Sequence, residues 1–351
     1  MRVLIAPDSF GDTLTAVEAC DAIARGWSAA RPGDVLERAP QSDGGPGFVD
    51  VLAVAGGTVH RSDVAGPLGA PVEATWLLDG DTAYLESAQA CGLHLLGGAP
   101  TPRTAVAATT HGVGTLIAAA LAAGARRIVV GLGGSGTSDG GRGMIEALGG
   151  LCPASEALGD VALVAATDVE NPLLGPDGAA AIFGPQKGAD DAAIAILDER
   201  NARWAAEILE VTGRSVAESV GAGAAGGLGA ALFALGATRE AGAAIVARRT
   251  GRHEQITGAD VVVTGEGRLD RQSLRGKLVT AVAAAARDGG AAVLAFAGAV
   301  ELDDAELAGA GVDAAHAIVD FAGSLDVAMN DAAHQLEGLA RSVAERWSAR
   351  P

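Results

Sequence analysis

Lysine is nearly absent from this chain of 351 residues. Of its 25 basic residues only Lys187 and Lys277 are lysines, and the rest are arginines. Aromatics are scarce too, at 3% of residues, so a core must be built mostly from Ala, Val, Leu and Ile. A hydrophobic share of 49% is ample for that. Cysteine is limited to Cys20, Cys91 and Cys152. Their odd number and the lack of CxxC spacing exclude a disulfide framework and a cysteine zinc site. Such usage fits a reducing cytosol, and a cytoplasmic location is expected. No apolar run is long enough to span a membrane, because glycine and charge interrupt the alanine-rich stretches. The opening MRVLIAPDSF passes straight into polar residues and is too short for a signal peptide. Positive charge is also in deficit. A formal net charge of −18 argues against nucleic acid or an anionic membrane as the main partner. A small anionic substrate then needs local positive charge at its site. Homo-oligomerisation is left open.

Several catalytic signatures are missing as well. Gly276-Lys277 is followed by Leu278 and lacks the upstream glycine of a Walker A loop. There is no GxSxG elbow, which removes the anchor for a serine hydrolase. The histidines at 60, 94, 111, 253, 316 and 334 show no metal-ligand spacing. His111 is the partial exception, because TTHGVGT reads as a helix start.

What is present is a rhythm of short β-branched runs and longer helical patterns. RVLIA at 2–6 reads as a buried strand and 15–31 as a helix, with Thr15 and Glu18 spaced as a capping box. Strands are expected at 34–40, 58–64, 72–78, 82–87, 126–132, 161–167, 260–265, 291–298 and 314–319. Helices are expected at 109–124, after Asp139, and at 190–212, 226–251, 276–288 and 324–348. Gly66-Pro67 and Asp79-Gly80 are turns between closely spaced strands, so that part reads as antiparallel. The whole reads as α/β with mostly parallel pairing and two domains. The expected division is 1–65 with 255–351, and an inserted domain at 66–254.

Acidic residues recur just past the expected strand ends: Asp8, Asp43, Asp139, Asp168, Glu266 and Asp270. In open α/β sheets the ligand crevice lies outside the carboxyl ends of the strands. Carboxylates gathered there suit Mg²⁺, which takes oxygen ligands and bridges to substrate phosphates. One of them can serve as general base toward a hydroxyl. Each alone is also an ordinary turn or capping residue. Glycine-rich stretches lie at 131–141 and 221–229, and both match GxGxxG, at Gly131, Gly133, Gly136 and at Gly221, Gly223, Gly226. Only the first follows a strand and precedes a helix. No acidic residue closes a second strand about 20 residues on, as a dinucleotide ribose contact requires. The first stretch reads as an anion-cradling turn using Ser135, Thr137 and backbone N–H groups, or as a tight structural turn. The two lysines, each beside glycine, read as phosphate or carboxylate contacts, or as leftovers on solvated surface.

Taken in order, several segments resemble the glycerate kinase family of the two-domain bacterial type. They are IAPDSF at 5–10, SDGG at 42–45, the Gly66-Pro67-Leu68-Gly69 turn and TTHGVG at 109–114. GLGGSGTSDGG at 131–141, TDVENPLLGPDGAAAIFGPQKGA at 167–189, GAGAAGGLG at 221–229 and TGEGRLDRQSLRGK at 264–277 complete the series. The resemblance implies a flavodoxin-like, mostly parallel domain and a second mixed α/β domain often likened to restriction endonucleases. It implies ATP-dependent, Mg²⁺-assisted phosphorylation of a glycerate hydroxyl. The alternative is a diverged member that acts on another small hydroxy acid, or that binds nucleotide with little catalysis.

Onto this sequence the resemblance carries Asp43 or Asp139 as base and Lys187 and Lys277 as charge stabilisers. It places Gly133, Gly134, Ser135, Glu266, Arg268 and Asp270 at the nucleotide, with Arg268 also suited to the substrate carboxylate. Asp8, Ser9, Gly44, Gly45, Asn171 and Gln186 fall at the substrate, and Asp168 and Glu266 at the metal. Two turns depart from the family pattern. The usual DSFKGS or DSFKGT is DSFGDT here, so Gly11 replaces a lysine and Asp12 adds negative charge. The usual DGGEGT is DGGPGF, so Pro46 replaces a glutamate. Arg142 and Arg275 stand where smaller or neutral residues are common.

Overall fold

The computed structural model describes residues 1–11, 13–271, 273–274 and 278–347; Asp12, Arg275 and Lys277 lie outside the described residues. Among those described, eleven strands form two sheets. They are β1 (Arg2–Pro7), β2 (Val35–Arg38), β3 (Thr58–Ala65), β4 (Pro71–Asp79), β5 (Thr82–Glu86), β6 (Arg127–Gly131), β7 (Ala162–Ala166), β8 (Thr238–Glu240), β9 (Val261–Leu269), β10 (Ala292–Val300) and β11 (Ala314–Ala317). The chain divides into two compact units, Met1–Ser42 with Val246–Pro351, and Asp43–Ile245.

The first unit holds a five-stranded sheet, ordered β11-β10-β9-β1-β2, with every pair parallel. Counted within the unit, that is the 2-1-3-4-5 order of flavodoxin-like folds, whose ligand crevice opens where the winding reverses, here between β1 and β9. β1 is buried from its second residue onward, as expected of a parallel strand covered on both faces. Val3, Ile5, Val261, Val263, Leu294 and Phe296 pack against Ile23 and Trp27 of the helix Ala16–Ala30 and Leu336 of the helix Ala332–Arg346. Thr15 and Glu18 form the expected capping box, with Glu18 N–H donating to Thr15 Oγ1 at 3.2 Å and Thr15 N–H to Glu18 Oε2 at 2.9 Å.

The second unit holds a six-stranded sheet in simple order from β3 to β8. β3, β4 and β5 pair antiparallel, and β5 to β8 pair parallel. His60 stacks on Trp76 across β3 and β4, with ring centroids 4.4 Å apart, which helps fix that hairpin's register. β3 pairs along its length with β4, so this unit includes β3, ahead of the expected boundary at residue 66. The unit also begins and ends in one place. A Cβ on Gly242 would collide with the Asp43 carbonyl.

Two helical expectations are corrected. The stretch 226–251 contains the helix Ala224–Ala234, then β8, then the helix Gly242–Thr250. Gly236, at φ +93°, turns the chain out of the first helix, and the open edge of β7 recruits Thr238–Glu240. Alanine-rich propensity alone cannot register that edge. The stretch 324–348 is two helices, Leu325–Asn330 and Ala332–Arg346, broken at Asp331.

Candidate active site

In the second unit the candidate residues gather at the carboxyl ends of β6 and β7. The turn 43–47 lies directly on the turn that follows β6. Gly133 N–H donates to Gly44 O at 3.0 Å. A Cβ on Gly133 would overlap Gly45 Cα, and one on Gly44 would come 2.8 Å from Ala166 O. Gly44 is also left-handed, at φ +98°. These glycines therefore permit backbone-to-backbone packing that no side chain allows. Asp43, Gly44, Gly45, Gly133 and Gly134 are thus brought together at one place. The cradle is nevertheless narrower than the sequence suggests, since Gly136 N–H is spent on Cys91 O at 2.8 Å.

Lys187 comes from below this turn. It ends the short 3₁₀ turn Pro185–Lys187 and is only 2% exposed. Its Nζ donates to Ser135 Oγ at 3.0 Å and to Thr137 O at 2.6 Å. Burial pushes its pKa down to about 8, against opposing pulls from Cys91 and Asp139. The same burial pushes the Cys91 thiol up to about 12. So Lys187 is no surface leftover. It is a buried positive charge under the glycine turn, and Ser135, itself 7% exposed, faces inward to meet it.

The two candidate bases differ sharply. Asp139 accepts four hydrogen bonds, from Thr110 N–H at 2.8 Å, Thr110 Oγ1 at 2.9 Å, Gly141 N–H at 3.1 Å and Gly143 N–H at 3.2 Å. It ties the loop 135–141 to the start of the helix His111–Ala122, and its lone pairs are largely committed. Asp43 is exposed, with one oxygen accepting Gly45 N–H at 3.0 Å. Of the two, Asp43 has the capacity to take a proton from a substrate hydroxyl.

In the first unit, a second set lies at the carboxyl ends of β1 and β9. Asp8 N–H donates to Gly265 O at 2.8 Å, and Asp8 Oδ1 accepts Ser9 N–H at 2.6 Å. A Cβ on Gly267 would lie 3.0 Å from Gly11 N, so the β1 turn packs closely on β9. Glu266 and Arg268 belong to β9 itself. Arg268 pairs with Glu301 at 3.4 Å on the exposed surface, and Asp270 accepts Ser273 N–H at 3.3 Å.

The family model described as "Glycerate kinase family" matches residues 3–156 and 151–348. The chain belongs to the glycerate kinase family. A Bacillus subtilis glycerate kinase is 40% identical over 372 aligned residues, covering 98% of this chain and 97% of that one. An uncharacterized protein of Mycobacterium bovis is 57% identical over 348 residues, covering 99% of this chain and 91% of its own. Among solved structures, a Salmonella typhimurium LT2 chain provisionally assigned as glycerate kinase 2 superposes with a TM-score of 0.76. It is 34% identical, with 98% and 97% of the two chains covered.

Other residues that the glycerate kinase resemblance singles out are placed less tightly. Asn171 spends its amide on Asp177 O at 2.9 Å, holding its own loop. Gln186 is exposed beside the inward-pointing Lys187. Asp168 is exposed just past β7, while Glu266 lies in the other unit. Among the described residues no three His, Cys, Asp or Glu side chains gather as a metal cage. Mg²⁺ does not require one, since it is commonly held by one or two carboxylates plus substrate phosphates and water. The exposed Asp168 carboxylate fits that role. No helix among the described residues is long and apolar enough to cross a membrane.

Sequence reasoning missed Thr110, which bonds Asp139 twice, and Glu86, the last residue of β5. Glu86 obeys the same signal as the six named carboxylates, an acidic residue at a strand's carboxyl end.

Proposed function

We propose that this protein is an ATP-dependent kinase that places a phosphoryl group on a hydroxyl of glycerate. The observation that carries the reading is the interlock of the Asp43 turn with the Gly133–Gly134 turn, backed by buried Lys187. Phosphoryl transfer needs positioning and charge neutralisation more than covalent chemistry. Here the glycine turn admits phosphate oxygens close to backbone, and the ammonium beneath it supplies positive potential in a chain of net charge −18. Asp43 accepts the proton of the glycerate hydroxyl as that oxygen attacks. Asp139 holds the loop rather than the proton. Asp168 would hold Mg²⁺, which when bound neutralises charge on the phosphates.

The direct test supplies purified protein with Mg-ATP and D-glycerate. ADP release with phosphoglycerate formation is expected. ADP formed only with another hydroxy acid would reduce the reading to a kinase of different acceptor. The departures at Gly11 and Pro46 favour checking that second outcome. Gly11 is left-handed at φ +57° with open space at its Cβ position, and the Pro46 ring packs over Gly134. Reverting both, G11K with P46E, should raise glycerate turnover if the departures have weakened it. Lower turnover would mark them as adapted to this protein's own acceptor.

A further inference from the structure

Glu86 belongs to none of the segments that carry the family resemblance, yet it reaches into one of them. It closes β5 and is 2% exposed. Its Oε2 accepts Gly47 N–H at 3.0 Å and Val49 N–H at 3.5 Å. Those donors open the short helix Phe48–Ala53, whose N-cap, Gly47, is left-handed at φ +89° and offers no capping side chain. A carboxylate from a different strand therefore does the capping.

The same backbone, four residues upstream of Gly47, carries Asp43. The turn 43–47 is thus held at two points. Gly44 fixes it to the ends of β6 and β7, through its carbonyl and the close approach to Ala166. Glu86 fixes its far end. Gly45 and Pro46 alone separate the clamped residues, and Pro46 is itself lodged against Gly134. Without Glu86, the exit of the turn would have two unanswered N–H groups in a buried setting.

We propose that Glu86 is a positioning residue for phosphoryl transfer, fixing the 43–47 turn so that Asp43 keeps its place beside the turn 133–135. The proposal rests on the kinase reading, in which Asp43 is the base. Its burial adds a second property. Burial pushes the Glu86 pKa up to about 7, the nearby Asp50 charge adds to that, and the Val49, Gly47 and Phe48 N–H groups pull it down. The ionised form is the stronger acceptor, so the clamp tightens as pH rises through neutrality.

The test uses E86Q and E86A in the full-length protein. Glutamine keeps an acceptor oxygen and the shape but not the charge. E86Q should lower kcat about tenfold with KM for ATP nearly unchanged, and should erase any limb of the kcat–pH profile near neutrality. E86A should lower kcat about 100-fold, the scale of a misplaced catalytic group. In both, amide exchange at Gly47 and Val49 should quicken. Wild-type kcat and profile in E86Q, or unchanged exchange at those amides in E86A, would overturn the proposal. Absence of turnover in the wild type with glycerate and with other small hydroxy acids overturns the kinase reading instead. The exchange measurement needs no substrate and then still decides whether Glu86 holds the turn.

Discussion

The stretches 131–141 and 221–229 share the spacing GxGxxG, yet the first follows a strand and the second bends back as a left-handed turn. In the first, Gly133 lies against Gly45 and Gly134 is exposed, which opens the turn toward a ligand. In the second, Ala225, Gly226 and Gly227 are buried, at φ of 51°, 68° and 95°. Gly226 packs on the Thr137 carbonyl, and its own carbonyl accepts Gly140 N–H at 3.0 Å. The second stretch is thus the floor on which the first is laid. In a glycine-rich chain the spacing reports close backbone packing. Exposure and the preceding strand decide which stretch can meet a ligand.

Substitutions at the closest approaches should break that distinction most forcefully. G133A drives a Cβ into Gly45 Cα, and kcat should fall about 100-fold or more at temperatures where the fold persists. Circular dichroism beside the kinase assay checks it. G226A forces both a left-handed alanine and a collision with Thr137 O, so stability should drop by about 2–4 kcal/mol, read by denaturant unfolding. If G226A instead spared stability and removed only activity, the floor would belong to the site.

Lys187 joins the two roles, and its titration can sharpen the comparison. Its folded pKa, about 8, lies below the ordinary lysine value of 10.5, so the unfolded chain binds more protons between those values. Holding the ammonium charged is a cost that is full below about pH 8 and is relieved as pH rises toward 10.5. Cys20 and Cys91, each pushed up to about 12 by burial, act in the opposite direction from pH 9 upward. The difference between wild type and K187M isolates the lysine. Wild type should gain stability relative to K187M from pH 8 to 10. At pH 7, K187M should still lose activity, because Ser135 Oγ and Thr137 O lose their donor. K187R with full turnover would show that charge alone suffices there.

The smallest effect is expected at Ala225, the one non-glycine residue at positive φ among those described. A225G relieves left-handed strain but loosens the unfolded chain, so a net gain of about 0.5 kcal/mol is expected from thermal melts. Kinase activity should not change.

Much of this was legible in the sequence. Buried runs such as RVLIA and DVVVTG announced parallel strands, and Thr15 with Glu18 announced a capped helix. The acidic turns and the glycine-rich turn 131–141 lie at the carboxyl ends of strands, where the sequence pattern puts them. What escaped was whatever depends on a partner distant in the chain. Thr238–Glu240 reads as helix until β7 offers its edge. Lys187 reads as a phosphate or carboxylate contact, or as a leftover on solvated surface, until the fold buries it against residues about fifty positions away. Glu86 reads as a strand's last residue until the turn 43–47 arrives above it. Asp139 and Asp43 look equivalent in sequence, and only the donors around each, four on Asp139 and the Gly45 N–H on Asp43, distinguish them.

The collision that a Cβ on Gly242 would make with the Asp43 carbonyl has a consequence for engineering. A segment whose two ends meet is a parenthesis in the chain. It can be opened into a host loop or lifted out without stretching either side. The run from Asp43 to Ile245 carries both GxGxxG stretches, the buried lysine and Glu86 in one uninterrupted stretch of chain. An excised Asp43–Ile245 segment is expected to keep these contacts, and a thermal melt of that segment checks it.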